Sequence, residues 1–448
     1  MSMLSGANRR HLLKGALGAA GIAALGSRTT RHAGAQAVKL VNVEHDSRPL
    51  DNAAYQAVYD AFREQHPDIE IEFQIIPWEQ ARPKMLTLAQ ANSLPDMGRM
   101  EWASDYAAAE MLVPLDGMVD EATLARFDTL ALEYGSAVGN DGERHLYALP
   151  WFQGAAAILV NKTLLDKAGL PLKEEWTTEE FSAYAKALTV EGEQWGVALD
   201  AAGIGDPVQN LLLAVYAYGG RWVAGDAAAT EPEPIVFNTP ETVAGITWYT
   251  SLFTDGYAVP SAPTDTYKER DANFQSGKAA MEWQGPWSLL EIQENFAKGG
   301  YELASMPLPK GPAGNPNWYG GAHASIYTAA EQKGVVEQAF EWISFLSSDE
   351  GELLYCKTNG MIPASKTAQQ DPFWSENELY KGYLNSFPTI SRMDPIWATG
   401  LNSILDDTVP PLLQGVLNGQ LSPEDMAAQV QDAVVQGLQQ NGVEVPES

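Results

Sequence analysis

The chain has 448 residues, of which 45% are hydrophobic, and its formal net charge is −30. This apolar fraction argues against a disordered chain, and the length exceeds the roughly 250–300 residues at which one core stops growing, so we expect at least two domains. The negative charge argues against nucleic acid as a partner, because a phosphate backbone requires a surface rich in Lys and Arg.

The N-terminal segment has the pattern of an export signal. Residues 8–14 read NRRHLLK, a weakly hydrophobic stretch follows, and Ala35-Gln36-Ala37 has the spacing of a cleavage site. The segment resembles a bacterial twin-arginine signal, so we assign residues 1–37 to a signal peptide; the alternative is a disordered basic tail. No cysteine lies near the cleavage site, where a lipid anchor would need one. We therefore predict a soluble periplasmic protein that is not a lipoprotein.

A βαβ unit is predicted at the start of the mature chain. Residues 38–43 form a β-rich run, and the aromatic and valine side chains of residues 55–62 then recur at the spacing of one helix face. Residues 69–74 alternate apolar and polar side chains, as a half-buried strand does. This order of elements indicates an α/β fold.

Two later helices carry clear start signals. Thr177 and Glu180 have the spacing of a capping box, which predicts a helix that runs to about Leu188. Ser422 and Pro423 supply an N-cap and a first-turn proline ahead of an apolar stripe. Segments rich in Gly and Pro predict long loops or interlobe crossings at residues 200–207, 224–234 and 307–316.

Motifs for metal, nucleotide and nucleophilic chemistry are missing from the sequence. The six histidines show no HExxH spacing, and there is no GxSxG, Walker A or GxGxxG motif. The single cysteine, Cys356, allows neither an intrachain disulfide nor a multi-cysteine metal site. We therefore expect no enzyme activity, no catalytic residue, no cofactor and no metal, although the many carboxylates leave a glycosidase pair open.

Tryptophan is the residue type that stands out. The chain has 13 tryptophans, and several lie beside glycine, proline or a charged residue rather than in an apolar stripe. Loops at strand ends are where α/β proteins bind ligands, and an indole face packs well against the C–H face of a sugar ring. A cleft with several loop tryptophans therefore predicts a sugar site. By contrast, Trp248 and Trp342 lie in apolar helical faces and are predicted to be core residues.

Short motifs follow one another in a fixed order along the mature chain. They are LPDM at 94–97, YALPW at 147–151, LVNK at 159–162, GKAAM at 277–281, GPW at 285–287, GG at 320–321 and GMIP at 360–363. Together they resemble the extracellular solute-binding proteins of carbohydrate ABC transporters, which include the maltose-binding type. The chain departs from the family pattern at Val160, where the family often has tyrosine, and at Glu110, where it often has glycine.

The resemblance implies an α/β, two-lobed periplasmic-binding-protein fold with crossover hinges and a ligand cleft between the lobes. It places the crossings near residues 148–156, 306–318 and 358–366. Lobe 1 is then expected at residues 38–150 and 310–362, and lobe 2 at residues 151–309 and 363–448.

The resemblance also implies a function and a set of ligand-binding residues. The chain would be the periplasmic substrate-binding component of an ABC importer, a monomer that captures a sugar, oligosaccharide or polyol and delivers it unchanged to the permease subunits. A binder of a non-sugar solute such as a peptide or polyamine, and an exported glycoside hydrolase, are the alternatives. Matching positions and the loop tryptophans give the expected ligand-binding residues as His45, Asp46, Trp78, Arg99, Glu101, Trp102, Trp151, Trp283, Trp287, Trp318, Gly320, Arg392 and Trp397.

Overall fold

The computed structural model describes residues 37–45, 49–101 and 103–447. The predicted signal peptide, apart from Ala37, lies outside these residues, as do two of the expected ligand-binding residues, Asp46 and Trp102. Within the described part, no helix is both long enough and apolar enough to cross a membrane.

Strands and helices alternate through the described part. The strands are β1 (Val38–Glu44), β2 (Ile69–Ile75), β3 (Met97–Met100), β4 (Ser136–Val138), β5 (Arg144–Leu146), β6 (Ala148–Gly154), β7 (Ala157–Asn161), β8 (Trp195–Ala198), β9 (Ala279–Gln284), β10 (Leu303–Met306), β11 (Gly320–Ile326) and β12 (Ile362–Pro363). The helices are α1 (Pro49–Gln65), α2 (Trp78–Gln90), α3 (Ala103–Ala108), α4 (Glu121–Leu124), α5 (Thr129–Tyr134), α6 (Lys162–Ala168), α7 (Thr178–Ala187), α8 (Asp206–Ala217), α9 (Pro240–Thr254), α10 (Tyr267–Gln275), α11 (Leu289–Gly299), α12 (Thr328–Lys333), α13 (Val336–Leu346), α14 (Asp349–Asn359), α15 (Pro372–Ser375), α16 (Lys381–Ser386), α17 (Leu401–Leu417) and α18 (Pro423–Gln440). Short 3₁₀ helices lie at Pro286–Ser288, Ala368–Gln370, Glu378–Tyr380 and Phe387–Thr389.

The predicted βαβ unit is confirmed. Strands β1 and β2 pair in parallel, with Val38 opposite Ile69, and α1 lies between them in the chain. Val58 and Phe62 of α1 are fully buried, and the polar residues of the alternating strand, Glu70 among them, are exposed. The helical spacing in α1 and the alternation in β2 thus correctly predicted which side of each element faces the core.

The first sheet carries lobe 1. In the described part it has six strands in the order β12-β6-β11-β3-β1-β2. Helix α13 packs on this sheet, where the Trp342 indole N–H donates to the Asn42 side-chain oxygen at 2.9 Å. Gly98 lies in β3 with φ +147, and a Cβ there would clash with the backbone of Val43, so only glycine allows β3 to approach β1 this closely.

The second sheet carries lobe 2. Its described strands follow the order β10-β7-β9-β8, and helices α8 and α9 pack together with α17 and α18 beside it. The predicted helix starts are confirmed: Thr177 and Glu180 make both bonds of a capping box ahead of α7, and the Ser422 side chain accepts from the backbone N–H of Asp425 ahead of α18.

The chain passes between the two sheets at three places. It leaves β6 at Gly154 and enters β7 at Ala157, and it leaves β10 at Met306 and enters β11 at Gly320. After β12 it reaches the 3₁₀ helix Glu378–Tyr380, which packs against β10. These connections join two lobes, each with its own sheet, whereas the lobe boundaries given above stay predictions.

The turn after α3 has an unusual backbone conformation at Glu110, where the sequence departs from the pattern of the family that it resembles. Glu110 has φ +52, the left-handed region that favours glycine. Its carboxylate accepts a hydrogen bond from the Asn140 side chain at 2.6 Å. Glycine adopts this φ without strain, which agrees with the glycine often found here in the family that the sequence resembles.

Candidate functional site

A cavity lies between the lobes in the described part. Lobe 1 lines it with residues between Glu101 and Arg144, and lobe 2 lines it with residues between Arg392 and Asn402. The cavity has a volume of about 100 Å³. Glu101 and Arg392, two of the expected ligand-binding residues, are both in its wall.

Charged residues meet at the carboxyl ends of β1 and β3, which run in parallel. Glu101 accepts from His45 Nδ1 at 2.9 Å through one carboxylate oxygen and pairs with Arg99 Nε through the other. Burial acts to raise the pKa of Glu101, but Arg99 and His45 outweigh it, and the pKa is lowered. The carboxylate in the cavity wall is therefore held ionised and fixed in place.

The start of α2 reaches from lobe 1 to lobe 2. The Arg99 guanidinium lies 5.8 Å from the centre of the Trp78 ring, and a Cβ at Gly205, in the loop before α8, would lie 3.7 Å from the Trp78 indole nitrogen. Beside it, Glu79 accepts from Lys268 Nζ at 2.7 Å. Trp78 thus lies at the interface between the lobes, next to the charged residues on β1 and β3.

Arg392 also bridges the lobes. Its Nε lies 3.4 Å from a carboxylate oxygen of Glu133, and its guanidinium lies 4.3 Å from the centre of the Tyr134 ring. Tyr134 in turn stacks on Tyr319, with ring centres 5.1 Å apart. Burial raises the pKa of the neighbouring Asp394, and Arg392 opposes that shift. Arg392, Glu133, Tyr134 and Asp394 all line the cavity.

A further contact between the lobes involves the start of α17. The N–H of Gly400, just before this helix, donates to Asp105 Oδ1 at 3.0 Å. Asp105 lies in α3 of lobe 1 and also pairs with Arg82 at 2.6 Å. Gly400 has no side chain to cap α17, so a carboxylate from the opposite lobe occupies the position favoured by the helix dipole.

Two tryptophans stack where the chain crosses between the lobes. The rings of Trp287 and Trp318 have centres 5.8 Å apart and an interplanar angle of 23°. A Cβ at Gly320 would clash with the Trp318 ring, and one at Gly285 with the Trp287 ring, so each indole covers a glycine. The Trp318 Nε1 atom is buried, and the described residues offer it no hydrogen-bond partner.

Three other expected ligand-binding tryptophans are buried. Trp151 is 0% exposed and Trp283 is 2% exposed. Trp151 packs against aromatic residues of the lobe 1 core and Trp283 against those of lobe 2: the partners are Tyr55, Phe152 and Tyr355 in the first case and Phe181, Trp248 and Tyr249 in the second. We therefore assign Trp151 to the core of lobe 1 and Trp283 to the core of lobe 2, and no longer to the ligand-binding site. Trp397 is 9% exposed and lies between two cavity-lining residues, and its Nε1 has no partner in the described part.

The cavity wall includes residues that the sequence interpretation missed. They are Asp105, Glu133, Tyr134, Arg144 and Asp394. Asp105 lies eight positions after the LPDM motif at 94–97, which was a usable signal, whereas no pattern marked the others. The described part holds no group of three or more His, Cys, Asp or Glu residues that could hold a metal ion.

The chain matches a known protein family and is similar to characterised relatives and to a solved structure. The family profile described as "Bacterial extracellular solute-binding protein" matches residues 46–353. The maltotriose-binding protein of Pyrococcus abyssi is 23% identical over 383 residues, 82% of this chain and 77% of that protein. The mannitol-binding protein of Pseudomonas aeruginosa is 26% identical over 254 residues, 55% of this chain and 54% of that protein. The structure is similar to that of the GacH receptor of Streptomyces glaucescens, solved unliganded and with acarbose, with a TM-score of 0.76, 24% identity and coverage of 90% of this chain and 98% of the receptor.

Proposed function

We propose, on the basis that this chain belongs to the family of bacterial extracellular solute-binding proteins, that it is the substrate-binding component of an ABC importer for a sugar, oligosaccharide or polyol. The names of the relatives support the ligand class, since one binds maltotriose and another mannitol. The ligand would lie in the cavity between the lobes and pass unchanged to the permease.

The observation that carries this proposal is the composition of the cavity and its surroundings. Carboxylates and arginine line both sides of the cavity, and the indole N–H of Trp397, whose two chain neighbours line the cavity, is buried with no hydrogen-bond partner in the described residues. Buried donors normally have acceptors, and an unsatisfied one costs about 1–3 kcal/mol. Hydroxyl groups of a sugar in the cavity would donate to the lining carboxylates and accept from Arg392.

The mechanism would be lobe closure on the ligand. Because both lobes line the cavity, a bound ligand contacts both of them only when they are together, and this differential affinity favours the closed form. The permease would then recognise the closed protein. Of the ligand-binding residues expected from the sequence, we retain His45, Asp46, Trp78, Arg99, Glu101, Trp102, Trp287, Trp318, Gly320, Arg392 and Trp397 in this proposal.

Export completes the proposal. We infer that residues 1–37 direct twin-arginine export and that the mature protein acts as a soluble monomer in the periplasm. Fusing residues 1–37 to a reporter that folds before export tests the signal, and Arg9→Lys with Arg10→Lys is expected to retain the reporter in the cytoplasm. Export that continues in this double variant would contradict the assignment.

A ligand screen tests the function. We expect a thermal-shift response to at least one sugar or polyol and isothermal titration with a single site per chain. A response to peptides or polyamines, with none to any carbohydrate, would replace the ligand class. Sustained turnover of chromogenic glycosides, lost on changing one cavity carboxylate, would instead establish the hydrolase alternative.

Substitution of the stacked tryptophans is expected to weaken ligand binding. Trp318→Ala and Trp287→Ala each remove half of the stack, and we expect a loss of roughly 1–3 kcal/mol in binding free energy, measured by titration with the identified ligand. Trp195→Ala is the matched control, because Trp195 is also partly exposed but lies at the amino end of β8. Normal affinity in both stack variants would show that the pair serves packing alone.

A further inference from the structure

The first and second crossings between the sheets are joined by the side chain of Asn317, which is 0% exposed. The Ala156 N–H donates to Asn317 Oδ1 at 3.0 Å, and Asn317 Nδ2 donates to the Ala156 carbonyl at 2.8 Å. Asn317 lies between β10 and β11, and Ala156 lies between β6 and β7. This buried pair of hydrogen bonds, the Asn317 staple, therefore links the two crossings side by side.

The backbone of Asn317 holds a third segment, which belongs to lobe 2. The Asn317 N–H donates to the Thr389 carbonyl at 3.0 Å, and the Asn317 carbonyl accepts from the Ser391 N–H at 3.0 Å. Thr389 ends a 3₁₀ helix that follows α16, and α16 packs on β7 and β10 of the second sheet. Arg392, in the wall of the cavity, comes directly after Ser391. Asn317 is thus fixed to lobe 2 close to the cavity.

On the lobe 1 side, the two crossings start from a paired position of the first sheet, where Gly154 of β6 lies opposite Gly320 of β11. Between this pair and the Asn317 staple, the first crossing has one residue, Ala155, and the second has residues 318–319. Changes of the backbone torsion angles in these residues can turn one lobe relative to the other while the strand pair and the staple both stay intact. The staple therefore leaves a short hinge.

Trp318 and Tyr319, which are neighbours in the chain, pack against opposite lobes. Trp318 stacks on Trp287, which follows β9 of the second sheet, with ring centres 5.8 Å apart. Tyr319 stacks on Tyr134 of α5 in lobe 1, with ring centres 5.1 Å apart. Bending of the second crossing is therefore expected between these two residues.

We propose that Asn317 is the positioning residue of the hinge: its staple confines bending in the first two crossings to Ala155 and residues 318–319, so that the lobes close along one path. Without the staple, each crossing could bend independently, and the unliganded protein would sample more relative positions of the lobes. Closure on a ligand would then have to remove this additional freedom, which weakens binding. The effect on binding rests on the proposed function, whereas the effect on lobe motion does not.

Distances between the lobes test the proposal without a ligand. Glu64→Cys in α1 and Glu294→Cys in α11 place one spin label on each lobe, and both positions are exposed. Cys356 is buried, so the labels attach to the two introduced cysteines. We expect Asn317→Ala to broaden the distribution of label distances, measured by pulsed electron paramagnetic resonance. If Asn317→Ala does not fold, Asn317→Ser, which offers one hydroxyl group in place of the amide, is expected to broaden it in the same way.

Asn161→Ala is the matched control. Asn161 is also 0% exposed, and its side chain accepts from the Leu164 N–H at 3.2 Å, but this bond lies within lobe 2. Both alanine variants should lower the free energy of unfolding, whereas the substitution at Asn317 alone should broaden the distances. A folded Asn317 variant with the distance distribution of the control would overturn the proposal.

Titration tests the consequence for binding. The probe is the sugar or polyol that gives the largest thermal shift with the parent protein. We expect Asn317→Ala to bind it roughly fivefold or more weakly, the scale of fixing the backbone of one further residue, and Asn161→Ala to bind it as the parent does. Equal affinity in the two variants would overturn the link between hinge and binding. A parent protein that responds to no sugar or polyol would instead contradict the proposed function, and the distance measurement would still decide the role of Asn317.

Discussion

Arg270→Met is expected to lower the free energy of unfolding by about 3–5 kcal/mol at neutral pH, the usual cost of removing one partner from a buried ionic cluster. Arg270 lies in α10 and is 1% exposed. Its guanidinium pairs with Asp206 and Asp271 at 2.9 Å, with Asp200 at 3.2 Å and with Glu282 at 3.6 Å. The variant would leave Asp200 and Glu282, whose side chains are 0% exposed, buried without their cation.

The raised pKa values of the buried acids determine how this loss of stability depends on pH. Burial raises the pKa of Asp200 to about 7 even with Arg270 beside it, and also raises the pKa of Glu282. Without Arg270 both carboxyls would be harder to ionise, so the variant should recover stability as the pH falls and they take up protons. Urea unfolding at acid and neutral pH measures the difference.

The matched control is Arg221→Met, which removes an exposed arginine from the same lobe. A change within about 0.5 kcal/mol is expected there. If Arg270→Met cost no more than this control, the cluster would have to be neutralised in another way, and the electrostatic account of the lobe 2 interior would be wrong.

Glu44→Gln is expected to stabilise the protein in alkaline solution. Glu44 is 0% exposed at the end of β1, and Asn42 donates to one of its oxygens at 2.6 Å. Burial raises the pKa of Glu44 from 4.5 to about 8, against the opposing effects of Tyr55, Asn42 and Arg99. The folded protein therefore keeps a proton here that the unfolded chain has already lost.

The sign of the effect follows directly. Between pH 4.5 and about 8 the folded state binds more protons at Glu44 than the unfolded state does, so its contribution to stability falls as the pH rises through this window. The limiting slope is about 1.4 kcal/mol per pH unit, and the total is on the order of a few kcal/mol. Glutamine cannot ionise, so the variant should lack this part of the slope.

Denaturant unfolding of both proteins across this pH range checks the prediction. Glu64→Gln, on an exposed part of α1, removes one carboxylate from the surface as a control. Parallel stability curves for the parent and Glu44→Gln would mean that Glu44 is ionised in the folded protein at neutral pH, and the burial argument would fail.

The sequence predicted local structure better than it predicted side-chain direction. The capping box at Thr177 and the alternating strand at residues 69–74 depend on neighbours a few positions apart, and both are confirmed. Trp151 and Trp287 each follow a proline, yet the first points into the lobe 1 core and the second into a stack at the crossings. All seven residues of β6 are buried, so no alternation was available to reveal the difference.

The cavity-lining residues that the sequence did not reveal show a second limit, which is that contacts between distant parts of the chain leave no local pattern. Arg392 and Glu133 are 259 positions apart in the chain, and Asp105 and Gly400 are 295 apart. Such pairs depend on how the two lobes pack together, and the helix and strand periodicities of the sequence carry no information on that packing. Glu133 and Tyr134 also end a six-residue helix, and the Asp128 and Gly135 that flank it mark where a helix starts and stops but not whether it has a function.

The threading of the chain between two sheets has a consequence for how the protein is made. Lobe 2 begins near β7, but helices α17 and α18 join it only after the chain has returned to lobe 1 and come back, and the bond from the Gly205 N–H to Asp406 spans 201 positions. Contacts of this separation form slowly, because a long loop must close before they can contribute. A nascent chain therefore holds an incomplete lobe 2, with the apolar faces of α8 and α9 uncovered, until α18 has left the ribosome. During synthesis, this surface is where a chaperone would be needed most.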